Sequence, residues 1–419
     1  MAELLDQTKS TLADVPFETS QLFYSRTDKR GIIKAGNSVF QAISGFDWAQ
    51  FLDAPHRIVR NYDTPRAIFR VMWALIEANS VAVAYVRNKT AEGRGYWVLA
   101  MVLPTADGYL SIRIKPTSPL FALIKEIYRG LSAAEQGEAL TVEDSEVRLL
   151  DELGALGYPS YEAFHKSALL DEFRARSSAV SQKLKGYFAD IDRIKKGLQA
   201  IKSSQVELMA GVESLRDLPT NMRIVASRLE PSGGPLSAMS DIYNSTSSVL
   251  FQEITDFALG QTSISKRMDE AFENACFFKV VTLLVEETMA ASAQDDLLEH
   301  GVDQGIEMSF LGGVLAQYAA IERDSLQIAE RLAQDLNRAA YDLRRSMLGL
   351  DTIRVMGLVE SGRLGSEGSR IGATMEQIGD CHSVIIALLQ SIKDNAAIVN
   401  AGVAGMRMHF QKRGALAAG

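Results

Sequence analysis

The feature that most constrains the fold is a regular spacing of apolar residues between Leu184 and Leu215. Their separations alternate between three and four residues for more than four heptads, which places all of them on one stripe of an α-helix. The stripe comprises Leu184, Tyr187, Ile191, Ile194, Leu198, Ile201, Gln205, Leu208, Val212 and Leu215, with Gln205 as its one strongly polar member. The chain is therefore expected to build much of its core from long helices that lie side by side.

Three breaks divide the helical part of the chain. They are Pro231–Pro235, the sequence HGVDQG that starts at His300, and Gly365–Gly368, and no Pro follows Pro235. Gly can take the left-handed conformation that ends a helix. The breaks predict an antiparallel four-helix bundle, formed by helical segments at roughly 169–229, 236–298, 306–363 and 370–412. A looser apolar stripe in the third segment consists of Ile321, Ile328, Leu332, Leu336, Leu343, Met347 and Leu350.

The pattern of residues 15–120 is different. In GYLSIRIKP, which starts at Gly108, Leu, Ile and Ile alternate with Tyr, Ser and Arg, the period of a half-buried strand. Tyr96–Pro104 and Ser80–Asn88 predict two more strands, and short strands are expected near Phe23 and in GIIKAG. Arg66–Asn79 has apolar residues at helical spacing. The prediction is a small antiparallel sheet with short helices on one face.

Composition narrows the class of protein. The chain has 419 residues, 47% of them hydrophobic and 23% charged, as in ordinary globular proteins of two to three domains. A net charge of −8 argues against a nucleic-acid partner. Two cysteines, Cys276 and Cys381, exclude a disulfide framework. The most apolar runs are shorter than the roughly 20 residues of a membrane span, so a soluble, cytoplasmic protein is expected.

Three stretches of the first 120 residues resemble the PAS domain of bacterial aerotaxis receptors. They are KAGNSVFQAISGF (Lys34–Phe46), PHRIVRNYDTPRAIFRVMW (Pro55–Trp73) and VRNKTAEGRGYWV (Val86–Val98). The family shows a Pro-His pair, a Trp in the next helix, a Lys-Asn-Arg stretch and a Tyr-Trp-Val strand in the same order. The resemblance covers about residues 18–120 and implies a PAS fold.

The resemblance also implies a cofactor. In that family the PAS pocket holds FAD, whose redox state reports oxygen or respiratory status. By position, Asn37, Arg60, Asp63 and Trp73 match the family's flavin-pocket or signalling positions. An Arg can pair with phosphate, an Asn can hydrogen-bond a ring edge, and a Trp can stack on a ring. We therefore expect these four residues to form the cofactor site, with no metal and no catalytic residue.

Two alternatives to FAD stay open. Asn61, Tyr62 and Ala82 replace the family's His, Pro and frequent Trp, so the PAS domain could have a filled core and no cofactor. His56 could instead ligate haem.

The helical part resembles the cytoplasmic signalling hairpin of chemoreceptors, the methyl-accepting chemotaxis proteins, at two places. The matching residues are Asn221, Ile224, Ala226, Arg228 and Gly233 in the first copy and Val359, Glu360, Arg363, Gly365 and Gly368 in the second. In that family the hairpin tip binds the chemotaxis histidine kinase and its coupling protein. The resemblance implies protein partners of this kind. Two tandem hairpins would complete a four-helix bundle within one chain, and a homo-oligomer is the other way to build it.

Together these patterns predict an α+β chain, with a PAS sensor domain at 15–120 and a helical linker at 121–168. Two chemoreceptor-like hairpins follow at 169–300 and 301–412, as an all-α bundle or coiled coil. No phosphate-binding loop, HExxH or GxSxG motif is present, so no enzyme is expected. The predicted function is sensory signal transduction of the aerotaxis-receptor type. The alternative is a cofactor-free adaptor or scaffold that acts only through protein–protein contacts.

Overall fold

The structure is a computed structural model that describes residues 13–137, 140–180, 184–229, 234–259, 263–294, 303–366 and 368–414. Its contacts divide the chain into two compact units. The first unit contains the chain up to Lys185 together with Glu273–Arg323, and the second contains Gly186–Phe272 and the chain from Asp324 onward.

The first unit is organised around a five-stranded sheet with the order β2-β1-β5-β4-β3. Every pairing is antiparallel, as the sequence predicts. The strands are β1 (Leu22–Asp28), β2 (Ile33–Gly36), β3 (Ala82–Lys89), β4 (Gly95–Pro104) and β5 (Gly108–Ile114).

One face of the sheet, here called the cavity face, carries Arg113. In the antiparallel register Arg113 lies opposite Phe23 of β1 and Ala100 of β4. Because side chains alternate between faces along a strand, Ser111 and Asn88 belong to the same face. The chain between β2 and β3 forms short helical elements: α1 (Ser38–Ser44), α2 (Trp48–Phe51), a 3-10 turn (His56–Val59) and α3 (Arg66–Glu77).

The opposite face of the sheet is also buried, which corrects the expectation of a sheet covered on one face. Three helices follow β5, namely α4 (Pro119–Gly137), α5 (Val142–Ala155) and α6 (Tyr161–Val180). The hydroxyl of Tyr161 in α6 donates to the Val83 carbonyl at 3.0 Å, and Trp97 of β4 packs edge to face on Phe121 of α4. The alternation in β5 therefore separates two buried environments and not a buried side from a solvated one.

The chain after α6 is built from long helices, as predicted. They are α7 (Lys185–Leu215), α8 (Leu218–Leu229), α9 (Pro235–Leu259), α10 (Ile264–Ser292), α11 (Gln304–Arg363) and α12 (Ser369–Gly414). The last two match the predicted segments to within two residues, whereas the first two segments are interrupted. The predicted first segment contains the end of α6, then α7 and α8. The second contains α9 and α10.

The heptad seam is the core of the second unit. Every member from Tyr187 to Leu215 is buried in α7. The polar member, Gln205, has both ends of its amide paired: it donates to the Phe257 carbonyl at 3.4 Å and accepts from the Ser265 hydroxyl at 2.9 Å. A buried amide that is paired in this way avoids the desolvation cost of a free polar group.

The helices of the second unit pack antiparallel. Gly197 of α7 approaches Val399 of α12, and Gly211 approaches Ile385, so the residue numbers rise along one helix as they fall along the other. The same relation holds between α11 and α12, where Gly357 approaches Met375 and the Arg407–Glu330 ion pair closes at 2.6 Å. An up-down-up-down bundle within one chain is the arrangement that the breaks predict.

Two details differ from the predicted stripe of α11. Ile321 and Ile328 are exposed, and the buried positions beside them are Glu322 and Ala329. The buried row therefore lies one residue further along the helix in this part.

The three predicted breaks are described to different extents. Gly365 has the left-handed conformation, with φ +58°, as expected for a glycine that ends a helix. Residues 230–233 of the first break and residues 300–302 of the second lie outside the described residues.

One of the described helices, at Ser369–Arg407, is long and apolar enough by length and composition to cross a membrane, which the sequence analysis did not anticipate. Its apolar residues Ile378, Ile385 and Leu389 are fully buried in the bundle, whereas Val384 and Ile398 are exposed, and 28% of the apolar window is buried.

Candidate ligand-binding site

A cavity of about 190 Å³ lies between the cavity face of the sheet and the elements before β3. The sheet contributes Val86, Ala100 and Val102, and α3 contributes Phe69, Met72 and Ile76. These apolar side chains form two facing walls. Trp73 and Arg57 also line the cavity, and both are exposed, so the cavity opens to solvent beside them. We call this end the mouth.

Positive charge dominates the polar part of the lining. Arg57, Arg60 and Arg113 are lining residues, and none of the described lining residues is an Asp or Glu. An arginine stays protonated in proteins, and a cavity with low-dielectric walls concentrates the field of its charges. The cavity is therefore suited to a ligand that brings negative charge or hydrogen-bond acceptors.

Arg113 is the most buried of the three arginines, with 3% of its surface exposed. It donates to the Ser25 hydroxyl at 3.1 Å and to His56 Nε2, and its guanidinium lies 5.2 Å from the centre of the Phe40 ring. Burial lowers the pKa of Arg113 to about 10, so the side chain is still a cation at neutral pH.

His56 is held in its neutral form. Burial, with a smaller contribution from the Arg113 charge, lowers the pKa of His56 well below its ordinary value. Because Arg113 has only donors, the Nε2 atom of His56 accepts this hydrogen bond, and the ring stacks on Phe40. The Nε2 lone pair is thus already used, which speaks against His56 as a haem ligand.

Two buried donors in the lining have no hydrogen-bond partner among the described residues. Nδ2 of Asn88 lies near the Tyr96 hydroxyl without a hydrogen bond of normal geometry between them. Nε of Arg60 is the second, and the guanidinium of Arg60 lies 4.0 Å from the centre of the Phe69 ring. Buried donors normally have partners, so these two atoms mark places where a ligand can accept hydrogen bonds.

The four residues that the sequence singled out divide into two pairs. Arg60 and Trp73 line the cavity, and Trp73 meets Tyr109 edge to face at 5.7 Å. Asn37 and Asp63 are not lining residues. Asn37 caps α1, and Asp63 accepts from Arg87. The assignment of all four as cofactor-binding remains a prediction.

Asn88 and Arg113 are site residues that the sequence analysis missed. The signal was present, because Asn88 follows Ala84 and Val86 at period two in β3, and Arg113 follows Tyr109 and Ser111 in β5. Period two places each set on one face of its strand. Nothing in the pattern indicates that this face looks into a cavity and not toward solvent.

The residues present fit a flavin ring. A flavin has a flat apolar part and an edge of carbonyl and ring-nitrogen acceptors, and the cavity offers two apolar walls with the unpaired donors of Asn88 and Arg60. The cavity volume of about 190 Å³ is less than the roughly 300 Å³ at which ligand pockets usually begin, so the cavity has room for a ring and not for a whole dinucleotide. No cluster of three potential metal ligands is found among the described residues.

Comparison with known proteins finds a sensory receptor that is similar to part of the chain. No family model matches the chain. The aerotaxis receptor of Escherichia coli strain K12 is 28% identical over 135 residues, which is 31% of this chain and 27% of the receptor. The match thus spans about a quarter of that receptor's length.

The comparison with solved structures finds a fungal LOV-domain photoreceptor. It is 14% identical, and the match covers 27% of this chain and 85% of that one with a TM-score of 0.20. The light-state dimer of the fungal blue-light photoreceptor Vivid is 16% identical over 27% of this chain and 87% of that one, again with a TM-score of 0.20.

The order of the five antiparallel strands and the similarity to the aerotaxis receptor confirm the predicted PAS domain. The long antiparallel helices that follow are consistent with a chemoreceptor-like region.

Proposed function

We propose that the chain is a cytoplasmic signal-transduction protein whose PAS domain holds FAD and senses redox state or oxygen. The similarity to an aerotaxis receptor supports a sensory and not an enzymatic role. The observation that carries the flavin assignment is a cavity with two apolar walls, unpaired buried donors and no acidic lining residue among those described.

In this proposal the walls of the cavity bind the flavin ring. Met72 and Phe69 would hold one face of the ring and Val86 and Ala100 the other, and Asn88 would donate to its polar edge. A bound flavin supplies a ring that can be oxidised and reduced.

The phosphates of FAD would lie at the mouth of the cavity. Arg57 and Arg60 are the cations that can pair with them, and Trp73 shields the ring from water. Asn37 and Asp63 act indirectly in this proposal, because Asn37 fixes the start of α1 and Asp63 holds Arg87.

Transmission would run through the contacts of the sheet with the helices of the first unit. The buried carboxylate of Glu172 in α6 accepts from the Tyr85 hydroxyl of β3 at 3.0 Å and from the backbone of Ser118 at 2.8 Å. On β1, Arg26 donates to Glu307 of α11 at 2.7 Å. A ligand that shifts the sheet would act on α6 and α11 by changing these contacts.

The proposed function also includes a protein partner for the helical part of the chain. The two hairpin turns resemble chemoreceptor tips, so we propose a chemotaxis-type histidine kinase or its coupling protein as the partner. A pull-down from cells with the helical turns intact, compared with a variant in which Glu360 and Arg363 are both changed to Ala, tests this. Equal capture of the kinase by both proteins, or no capture, would contradict it.

Flavin binding is tested by titrating the purified chain with FAD and following visible absorbance and fluorescence quenching. Ala100→Phe places a ring inside the cavity, so this variant should not bind. Ala74→Phe, on the exposed side of α3, is the matched control and should bind like the parent chain. A parent chain that stays colourless with FAD, FMN and haem would overturn the proposal and favour the adaptor function.

A further inference from the structure

Arg113 carries a buried positive charge for which the described residues supply no carboxylate. Its hydrogen-bond partners are the Ser25 hydroxyl and His56 Nε2, both uncharged acceptors. Other arginines in the first unit are paired: Arg26 with Glu307, and Arg176 with Glu287. Buried charges are normally paired or bind a counter-ion, so Arg113 is the exception that needs an explanation.

The position of Arg113 supplies that explanation. It lies on the cavity face and lines the cavity. His56, its neighbour in the lining, is neutral and does not balance the Arg113 charge. Asn88, with 3% of its surface exposed and an unpaired Nδ2, lies in the same lining. A cation and a buried amide therefore line the same small cavity with apolar walls.

We propose that the inner end of the cavity, at Arg113, is a site for the anionic group of a flat ring ligand. The inference rests on the cavity of the proposed function and adds the charge that the ligand must present there. The shared chemistry is an anionic oxygen or nitrogen on a ring, either a permanent carboxylate or the charge that a ring acquires on reduction. Arg57 and Arg60 at the mouth remain available for phosphates.

The test compares benzoate with benzamide, which have nearly the same shape and differ in charge. Both rings are small enough for a cavity of about 190 Å³. The dissociation constant of each probe is measured by calorimetry, with thermal shift as a second readout. Because a hydrogen bond to a charged partner is stronger than one to a neutral partner, benzoate should bind at least about ten-fold more tightly to the parent chain.

Variants assign the preference to Arg113. Arg113→Met keeps the aliphatic bulk, removes the charge and should abolish the preference for benzoate. Arg113→Lys keeps a charge and should retain part of it. Arg30→Met removes the same charge from an arginine in the β1–β2 turn, where 81% of its side chain is exposed, and should behave like the parent chain. Circular dichroism checks that each variant is folded.

Equal affinities for the two probes, no benzoate binding by the parent chain, or a preference that survives in a folded Arg113→Met variant would each overturn the proposal. If Arg113→Met is unfolded, the Arg113→Lys variant and the parent chain decide. The flavin titration on the same preparations separates the two ideas: benzoate preference without flavin binding contradicts only the flavin proposal, and flavin binding without benzoate preference contradicts only this one.

Discussion

The side chains of Asn37 and Asn88 are both buried, yet they differ in what they bind. Oδ1 of Asn37 accepts from the backbone amides of Tyr24 at 3.1 Å and Phe40 at 3.2 Å, and Nδ2 donates to the Leu22 carbonyl at 2.7 Å. Asn88 has an unpaired Nδ2 in the cavity lining. The sequence identified an asparagine in the site from its family position, but hydrogen-bond partners distant in the chain decide which asparagine is free to bind a ligand.

Replacing Asn37 should mainly reduce the stability of the fold, because its side chain is paired with backbone groups and does not line the cavity. Asn37→Ala removes the N-cap of α1 and leaves buried backbone groups of β1 without partners, so the free energy of unfolding should fall by about 2 kcal/mol or more. Urea denaturation measures this change. Asn88→Ala, made as the matched variant, should cost about 1 kcal/mol or less and weaken FAD binding several-fold. The reverse ranking of the two variants would contradict these roles.

His165 of α6 should make the folded state sensitive to acid. Burial, and then the charge of Lys166, lowers the pKa of His165 to about 3, against 6.5 for the free side chain. Between these values the unfolded chain binds a proton that the folded chain does not. The stabilising contribution is therefore complete above pH 6.5 and decreases as the pH falls through this window.

The variant His165→Phe tests this while keeping the ring contacts with Tyr161 and Phe277. Thermal unfolding is followed at pH 7 and pH 5. The unfolding temperature of the parent chain should fall more from pH 7 to pH 5 than that of the variant. Parallel losses in the two proteins would show that His165 does not titrate on unfolding.

At the scale of elements, the sequence predicted which segments are strands and helices better than it predicted what they contact. The alternation in β5 and the heptad seam of α7 are local patterns, and both elements are found where expected. The covering of the second sheet face by α6 depends on Glu172 meeting backbone groups 54 and 55 residues away. A contact of that separation leaves no periodic trace in the sequence.

Glu172 should be among the most sensitive positions of the first unit. Its carboxylate is fully buried and accepts from Tyr85, from the backbone of Thr117 and Ser118, and from the Ser118 hydroxyl. Glu172→Ala leaves these donors unpaired and should lower the free energy of unfolding by about 3 kcal/mol or more. Glu162→Ala on the same helix removes only an exposed ion pair with Lys166 and should cost about 0.5 kcal/mol or less. Similar costs for the two variants would contradict this contact.

The packing of α7 against α12 should depend on Gly402. A Cβ at this position would lie 2.5 Å from Cγ1 of Ile194, so Gly402→Ala should destabilise the second unit by about 1–3 kcal/mol through overpacking. Gly349→Ala on α11 meets nothing within 4 Å and should stabilise the helix by about 0.5–1 kcal/mol. Chemical denaturation followed by circular dichroism compares them. Two changes of the same sign would contradict the close approach of the helices.

For the whole molecule, the sequence distinguishes an α/β part from a helical part. The structure shows in addition which helices belong to both compact units. Both α10 and α11 contribute residues to each compact unit, since the boundaries lie at Phe272 and Arg323. The periodic spacing of hydrophobic residues shows that a segment is helical. It does not show to which compact unit each part of the helix belongs. The predicted domains at 15–120, 121–168, 169–300 and 301–412 remain a proposal for how function is divided along the chain.

If the chain is a sensor, the state of a ligand in the PAS cavity must reach the helices. Hydrogen exchange of the FAD-loaded chain, oxidised and then reduced under anaerobic conditions, tests it most directly. Altered exchange is expected in α3 and β5 and also in α6 and α11, whose buried ion pairs and hydrogen bonds meet the sheet. Altered exchange confined to the residues that line the cavity, with α6 and α11 unchanged, would contradict it.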